Sequence, residues 1–150
     1  MRQPVALPHR HVLTSDAVPA AVSLARRTAE TAYASWGINP GHPVMGPALL
    51  LLSELVTNSV RHAATVSRQL TVIYAAGSGT LAFAVHDRHP HRPEPARFAD
   101  SAGGLATVAE LLAELGGACT VVPDADGGGK NIWITLPLWP KGHRTARPRS

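Results

Sequence analysis

The chain has 150 residues, 45% of them apolar and 16% charged, which suits one packed domain and excludes a compositionally disordered chain. Its formal charge of +4 belongs to the last twelve residues, WPKGHRTARPRS, which hold Lys141, Arg144, Arg147 and Arg149 and no acid. The other residues carry ten basic and ten acidic side chains, so the folded part has no basic excess to track a phosphate backbone, which argues against direct nucleic-acid binding.

The start, MRQPVALPHRH, lacks the apolar stretch of a signal peptide, and no 18-residue apolar run follows. A cytoplasmic protein with no membrane contact is expected, with residues 1–10 a flexible N-terminus. HVLT (11–14) predicts a short edge strand. In SDAVPAAVSLARRTAETAYASWG, Ser15 or Asp16 suits a helix cap, Pro19 its first turn and Gly37 its end. Val18, Val22, Ala25, Ala29, Ala32 and Trp36 recur at helical spacing, and Arg26 and Arg27 read as surface charges. INPGHPV is a turn-rich link, and a second helix is predicted over 44–63.

The period then becomes two. SRQLTVIYAA (67–76) alternates as a strand, GSG (77–79) is a hairpin turn, and TLAFAVHD (80–87) is the returning strand. Residues 88–104 are rich in proline and turn formers and predict a long loop, a length that usually signals function or disorder. LATVAELLAEL (105–115) predicts a helix with Leu105, Val108, Leu111, Leu112 and Leu115 inward and Glu110 and Glu114 outward. GACTVVP is a strand, with the lone Cys119 as a small buried residue. DADGGG is a hairpin loop, and KNIWITLPL (130–138) is the last strand. Residues 139–150 are expected to be a basic disordered tail. The domain thus spans 11–138: an α+β, two-layer sandwich with a mostly antiparallel mixed sheet covered on one face by three helices.

The second helix carries an oddity. Met45, Ala48, Leu52, Leu55, Val56, Ser59 and Ala63 fall on one side at 100° per residue, and Glu54, Asn58 and Arg61 on the other. Glu54 and Asn58 fit a solvated face, yet leucines flank them and asparagine is a poor mid-helix residue, which fits a pocket wall. There, Glu54 is suited to orient or deprotonate a water or hydroxyl, and Asn58 offers a neutral oxygen to Mg²⁺, whose shell phosphate oxygens complete. Zinc suits Glu54, Asn58 and His62 poorly. His86, His89 and His91 read as scattered loop histidines rather than a zinc site. Asp87, at a strand end, is placed either to cap a turn or to accept a hydrogen bond from an exocyclic amine. Gly103, Gly104 and Leu105 open a helix whose backbone N–H groups suit a phosphate.

Four stretches, SELVTNSVRHA, FAVHDRHPHRP, GGLATVAELLAELGG and GGGKNIWITLPL, resemble in order the motifs of the GHKL superfamily of Bergerat-fold ATPases, most closely its small single-domain anti-sigma-factor serine kinases of actinobacterial type. The resemblance covers roughly residues 50–138. It implies an ATP- and Mg²⁺-binding regulator of transcription. In it Glu54 is the general base, Asn58 the magnesium ligand and Asp87 the reader of the adenine amine. Gly103, Gly104 and Leu105 are the phosphate-holding helix entry, Asn131 takes a place near the adenine, and residues 88–102 form an ATP lid. It also implies a protein partner, a sigma factor or an anti-sigma antagonist, and family members are often homodimers. The residues after Asp87 depart from the family's D-x-G-x-G, and Ala102-Gly103-Gly104-Leu105 replaces G-x-G-L. Two functions stay open: a protein serine/threonine kinase, and a non-catalytic partner-binding module with a degenerate nucleotide site.

Overall fold

A computed structural model describes residues 7–63, 66–89, 93–100 and 104–139. Strand β1 (His9–Asp16) leads into helices α1 (Ala20–Ser35) and α2 (Met45–Ala63). The hairpin of β2 (Gln69–Gly77) and β3 (Thr80–Asp87) follows, then a 3-10 turn at Pro95–Asp100 and helix α3 (Gly104–Leu115). Strands β4 (Ala118–Pro123) and β5 (Lys130–Pro137) close the fold. The sheet runs β1-β2-β3-β5-β4, and all four pairings are antiparallel, so the expected mixed character is absent among the described strands. The expected two-layer sandwich is present, with five strands and three α-helices among the described residues.

Alternation along the strands builds the core. Leu70, Val72, Tyr74 and Ala76 on β2, Leu81, Phe83 and Val85 on β3, and Ile132, Ile134 and Leu136 on β5 are all buried together. The two-residue turn of the β2–β3 hairpin has positive φ at both Ser78 and Gly79, the twist that joins antiparallel strands tightly. Helix α1 presents a face of small residues, Ala21, Ala25, Ala29 and Ala32, which lets it lie close to its neighbours. Two tyrosines bridge layers: Tyr33 Oη donates to the Ala82 carbonyl at 2.6 Å, and Tyr74 Oη to that of Ala25 at 2.8 Å.

The first helix begins later than its sequence suggests. β1 continues through Asp16, which pairs with Gln69, so Ser15 and Asp16 serve the sheet. The N-cap is Pro19, without a side-chain capping bond. Val18 lies outside the helix and is 46% exposed, while Ala21 and Tyr33 take core positions. Arg26 is no free surface charge: its guanidinium donates to the Leu49 carbonyl at 3.3 Å and to Ser53 Oγ at 2.9 Å, tying α1 to α2. The predicted loop 88–104 contains the 3-10 turn, anchored by Phe98, which is 2% exposed. The predicted tail beyond 139 and the first six residues lie outside the described residues. Among the described residues no helix is long and apolar enough to cross a membrane.

Burial pushes the Cys119 thiol from 9.0 up to about 11, and the Tyr33 and Tyr74 phenols, removed from water, are raised above 10.0. These groups hold their protons more tightly folded than unfolded. Their contribution to stability is therefore complete below about pH 9 and is lost as pH rises through the folded values. The urea midpoint is expected to fall from pH 9 to 11, less steeply in Tyr74→Phe. A flat midpoint over that range contradicts this account.

Candidate functional site

The apolar ladder on the helix-covered face ends in charge. Asp87 is the last residue of β3 and pairs in register with Lys130, the first of β5. Both are nearly inaccessible, at 4% and 5% exposed. Lys130 Nζ donates to Asp87 Oδ1 at 2.6 Å and to the His89 carbonyl at 3.3 Å. The His89 backbone N–H donates to Asp87 Oδ1 at 3.0 Å. Buried Ser59, on α2, donates its hydroxyl to Asp87 Oδ2. A buried carboxylate survives only when paired and hydrogen-bonded, and here a cation, a hydroxyl and a backbone amide meet that need.

The chain after Asp87 is pinned as well. Arg88 N–H donates to Ser67 Oγ at 2.9 Å. The Arg88 guanidinium reaches Asp124 at 2.5 Å and Asp126 at 3.0 Å, both in the β4–β5 turn. His86 Nε2 lies 2.9 Å from Asp124. The His86 hydrogen bond, then Arg88, holds the Asp124 carboxyl below its ordinary range, and Arg88 does the same for Asp126. His86 is thereby engaged on the sheet's other face, and among the described residues no cluster of three metal-ligating side chains occurs. His91 lies outside the described residues.

A cavity of about 250 Å³ opens beside the ion pair, lined by Asn58, His62, Asp87, His89, Pro93, Leu105 and Lys130. It is somewhat smaller than the roughly 300–1,000 Å³ of drug-sized ligand sites, so it suits a base-sized group rather than a whole nucleotide. Asn58, Asp87 and Leu105, distant in the chain, therefore converge on one cavity. The half-buried Glu54, one turn before Asn58, is not among the lining residues. It lies against the first residue of α3: a Cβ on Gly104 would fall 2.0 Å from Glu54 Oε1. A side chain there would displace the end of Glu54 from its present place, and the carboxylate sits beside a helix N-terminus, where the dipole favours negative charge. Gly103 lies outside the described residues.

Asn131 is not part of this cavity. It pairs with His86, one residue out of phase with Asp87 and Lys130, and so belongs to the opposite sheet face. Its Oδ1 is buried without a hydrogen-bond partner among the described residues. Lys130 occupies the strand position facing the cavity instead. KNIWITLPL carried that signal: Lys130 shares its phase with Ile132, Ile134 and Leu136. Ser59 was legible as buried, but not as the partner of Asp87.

Asp87→Asn leaves the Lys130 ammonium buried beside a neutral amide. Breaking such a pair costs about 3–5 kcal/mol, or roughly 10 °C in melting temperature for a domain of this size. Ser59→Ala removes one hydrogen bond and is expected to cost about 1 kcal/mol. Calorimetry should place the double variant Asp87→Asn/Lys130→Met above Asp87→Asn alone. A double variant melting below the single one would show that the pair is not the unit of stability.

The sequence was compared with known families and structures. Residues 47–140 match the family of histidine kinase-, DNA gyrase B- and HSP90-like ATPases. No curated protein sequence matches. Among solved structures, the histidine kinase domain of the Erythrobacter litoralis EL346 blue-light activated histidine kinase is similar at TM-score 0.51 and 26% identity, over 67% of this chain and 46% of that one. The structure of the RsbU and RsbW domains of Rv1364c from Mycobacterium tuberculosis is similar at TM-score 0.58 and 23% identity, over 85% of this chain and 32% of that one. This chain thus spans less than half the length of either. With the family match covering most of the domain and the converging cavity residues in place, the chain belongs to the histidine kinase-, DNA gyrase B- and HSP90-like ATPase family.

Proposed function

We propose that this protein binds Mg-ATP and acts as a regulator through contact with a protein partner, a sigma factor or its antagonist, in the manner of the anti-sigma-factor serine kinases that its motifs resemble. The observation that carries the reading is the base-sized cavity with the buried Asp87 carboxylate in its wall and Asn58 beside it. Asp87 Oδ2 accepts one described hydrogen bond, from Ser59, and retains a lone pair for an exocyclic amine. Asn58 supplies an amide oxygen suited to Mg²⁺, and Gly104 and Leu105, which open α3, stand at the helix entry that the GGL motif assigns to phosphates. Bound Mg²⁺ neutralises phosphate charge. In this reading Glu54 takes the proton of a serine hydroxyl on the antagonist.

A second reading, a partner-binding module without phosphoryl transfer, is favoured by one observation. The Glu54 carboxylate rests against Gly104, at the helix entry that the first reading gives to the phosphates, so an anion already stands where the phosphates would bind.

Mg-ATP at a hundredfold excess over its Kd stabilises the folded state by about 2.7 kcal/mol, and a melting temperature several degrees higher is expected, with the magnesium dependence reduced in Asn58→Ala. No shift at millimolar Mg-ATP rules the nucleotide reading out. With labelled ATP and a panel of antagonist proteins, transfer that disappears in Glu54→Ala supports the kinase. Tight partner binding without transfer in either protein supports the module.

A further inference from the structure

The buried ammonium of Lys130 carries three N–H donors, and the described residues provide acceptors for two, Asp87 Oδ1 and the His89 carbonyl. Asp87 has the complementary surplus. Among the described residues, its Oδ1 takes two donors, and its Oδ2 takes only Ser59. Both side chains line the same cavity. Its wall therefore presents one spare donor next to one spare acceptor, on two groups held side by side by the β3–β5 register. Such a wall recognises a planar heterocycle with an amine next to an unprotonated ring nitrogen. Adenine has that edge, in its exocyclic N6 amine and ring N1.

We propose that Lys130 is a second base-reading residue, whose remaining N–H donates to the adenine ring nitrogen N1 while Asp87 accepts from the neighbouring N6 amine. This rests on the nucleotide reading above and gives β5 a role at the base through Lys130 rather than Asn131. A phosphate contact for Lys130 fits less well. The ammonium is fixed against the Asp87 carboxylate, at 2.6 Å, and an anion brought to it would face that carboxylate. Adenine brings no charge there, and its two polar atoms complete both groups.

The test is isothermal calorimetry on the full chain with Mg²⁺ and three nucleotides: ATP, 1-deaza-ATP, which lacks the N1 acceptor, and purine riboside triphosphate, which lacks the N6 amine. A hydrogen bond from a charged donor in a site closed to water is expected to make 1-deaza-ATP bind on the order of tenfold more weakly than ATP. In Lys130→Met that penalty should vanish, while the penalty for losing the amine persists. A merely structural lysine would weaken all three nucleotides alike. Equal affinity of the wild-type protein for ATP and 1-deaza-ATP overturns the proposal and leaves the nucleotide reading standing. A penalty that survives in Lys130→Met also overturns it. No binding of any of the three removes both. The wild-type comparison needs no variant, so it can overturn the proposal even where Lys130→Met fails to fold, and there Lys130→Gln repeats the comparison with a polar side chain of similar length.

Discussion

The ion pair between Asp87 and Lys130 sets the terms for everything around it. Two opposite charges, each almost closed to water, are tolerable only if they are paired and hydrogen-bonded. That requirement recruits Ser59 from α2, the backbone of His89 and the register between β3 and β5. A helix, a hairpin strand and the closing strand are thereby referenced to one carboxylate. The cavity lies where this polar cluster meets the apolar core. The cluster acts as a unit: losing one member leaves the others buried and less well paired.

Around that point the fold supplies support of a different kind. Arg88 is held by Ser67 through its backbone and by Asp124 and Asp126 through its side chain. The residue after Asp87 therefore cannot swing away without breaking contacts to the segment before β2 and to the β4–β5 turn. Near the cavity, Gly104 at the start of α3 lies against the end of the Glu54 side chain. The two helices that flank the site meet there through backbone and carboxylate. One side of the site is thus held by ion pairs, and at the other the Glu54 carboxylate keeps its present place because residue 104 carries no side chain.

The departures from sequence expectation have one origin in common, competition from pairing partners distant in the chain. Ser15 and Asp16 have good capping chemistry, yet eight consecutive β1–β2 pairs claim them first. Arg26 reads as a solvated charge until α2 places the Leu49 carbonyl and Ser53 within its reach. Phe98 lies in a segment with no periodicity, and only the core beneath it explains its burial. In each case a local preference was real and was outweighed by a contact that spacing along the chain does not reveal.

The elements themselves were legible because they rest on local periodicities: 3.6 for α2 and α3, and two for the paired strands. The motif residues Glu54, Asn58 and Asp87 stood out because a carboxylate and an amide inside a leucine-rich helix, and a carboxylate ending an apolar strand, each break the pattern around them. The tertiary structure alone decided which polar groups face one another. Phase in a strand is a property of the sequence, but the partner opposite a residue is a property of register between strands far apart in the chain. Lys130 could be placed with the isoleucines of its own strand, yet its meeting with Asp87, and the exclusion of Asn131 to the other face, arise only when β5 pairs with β3.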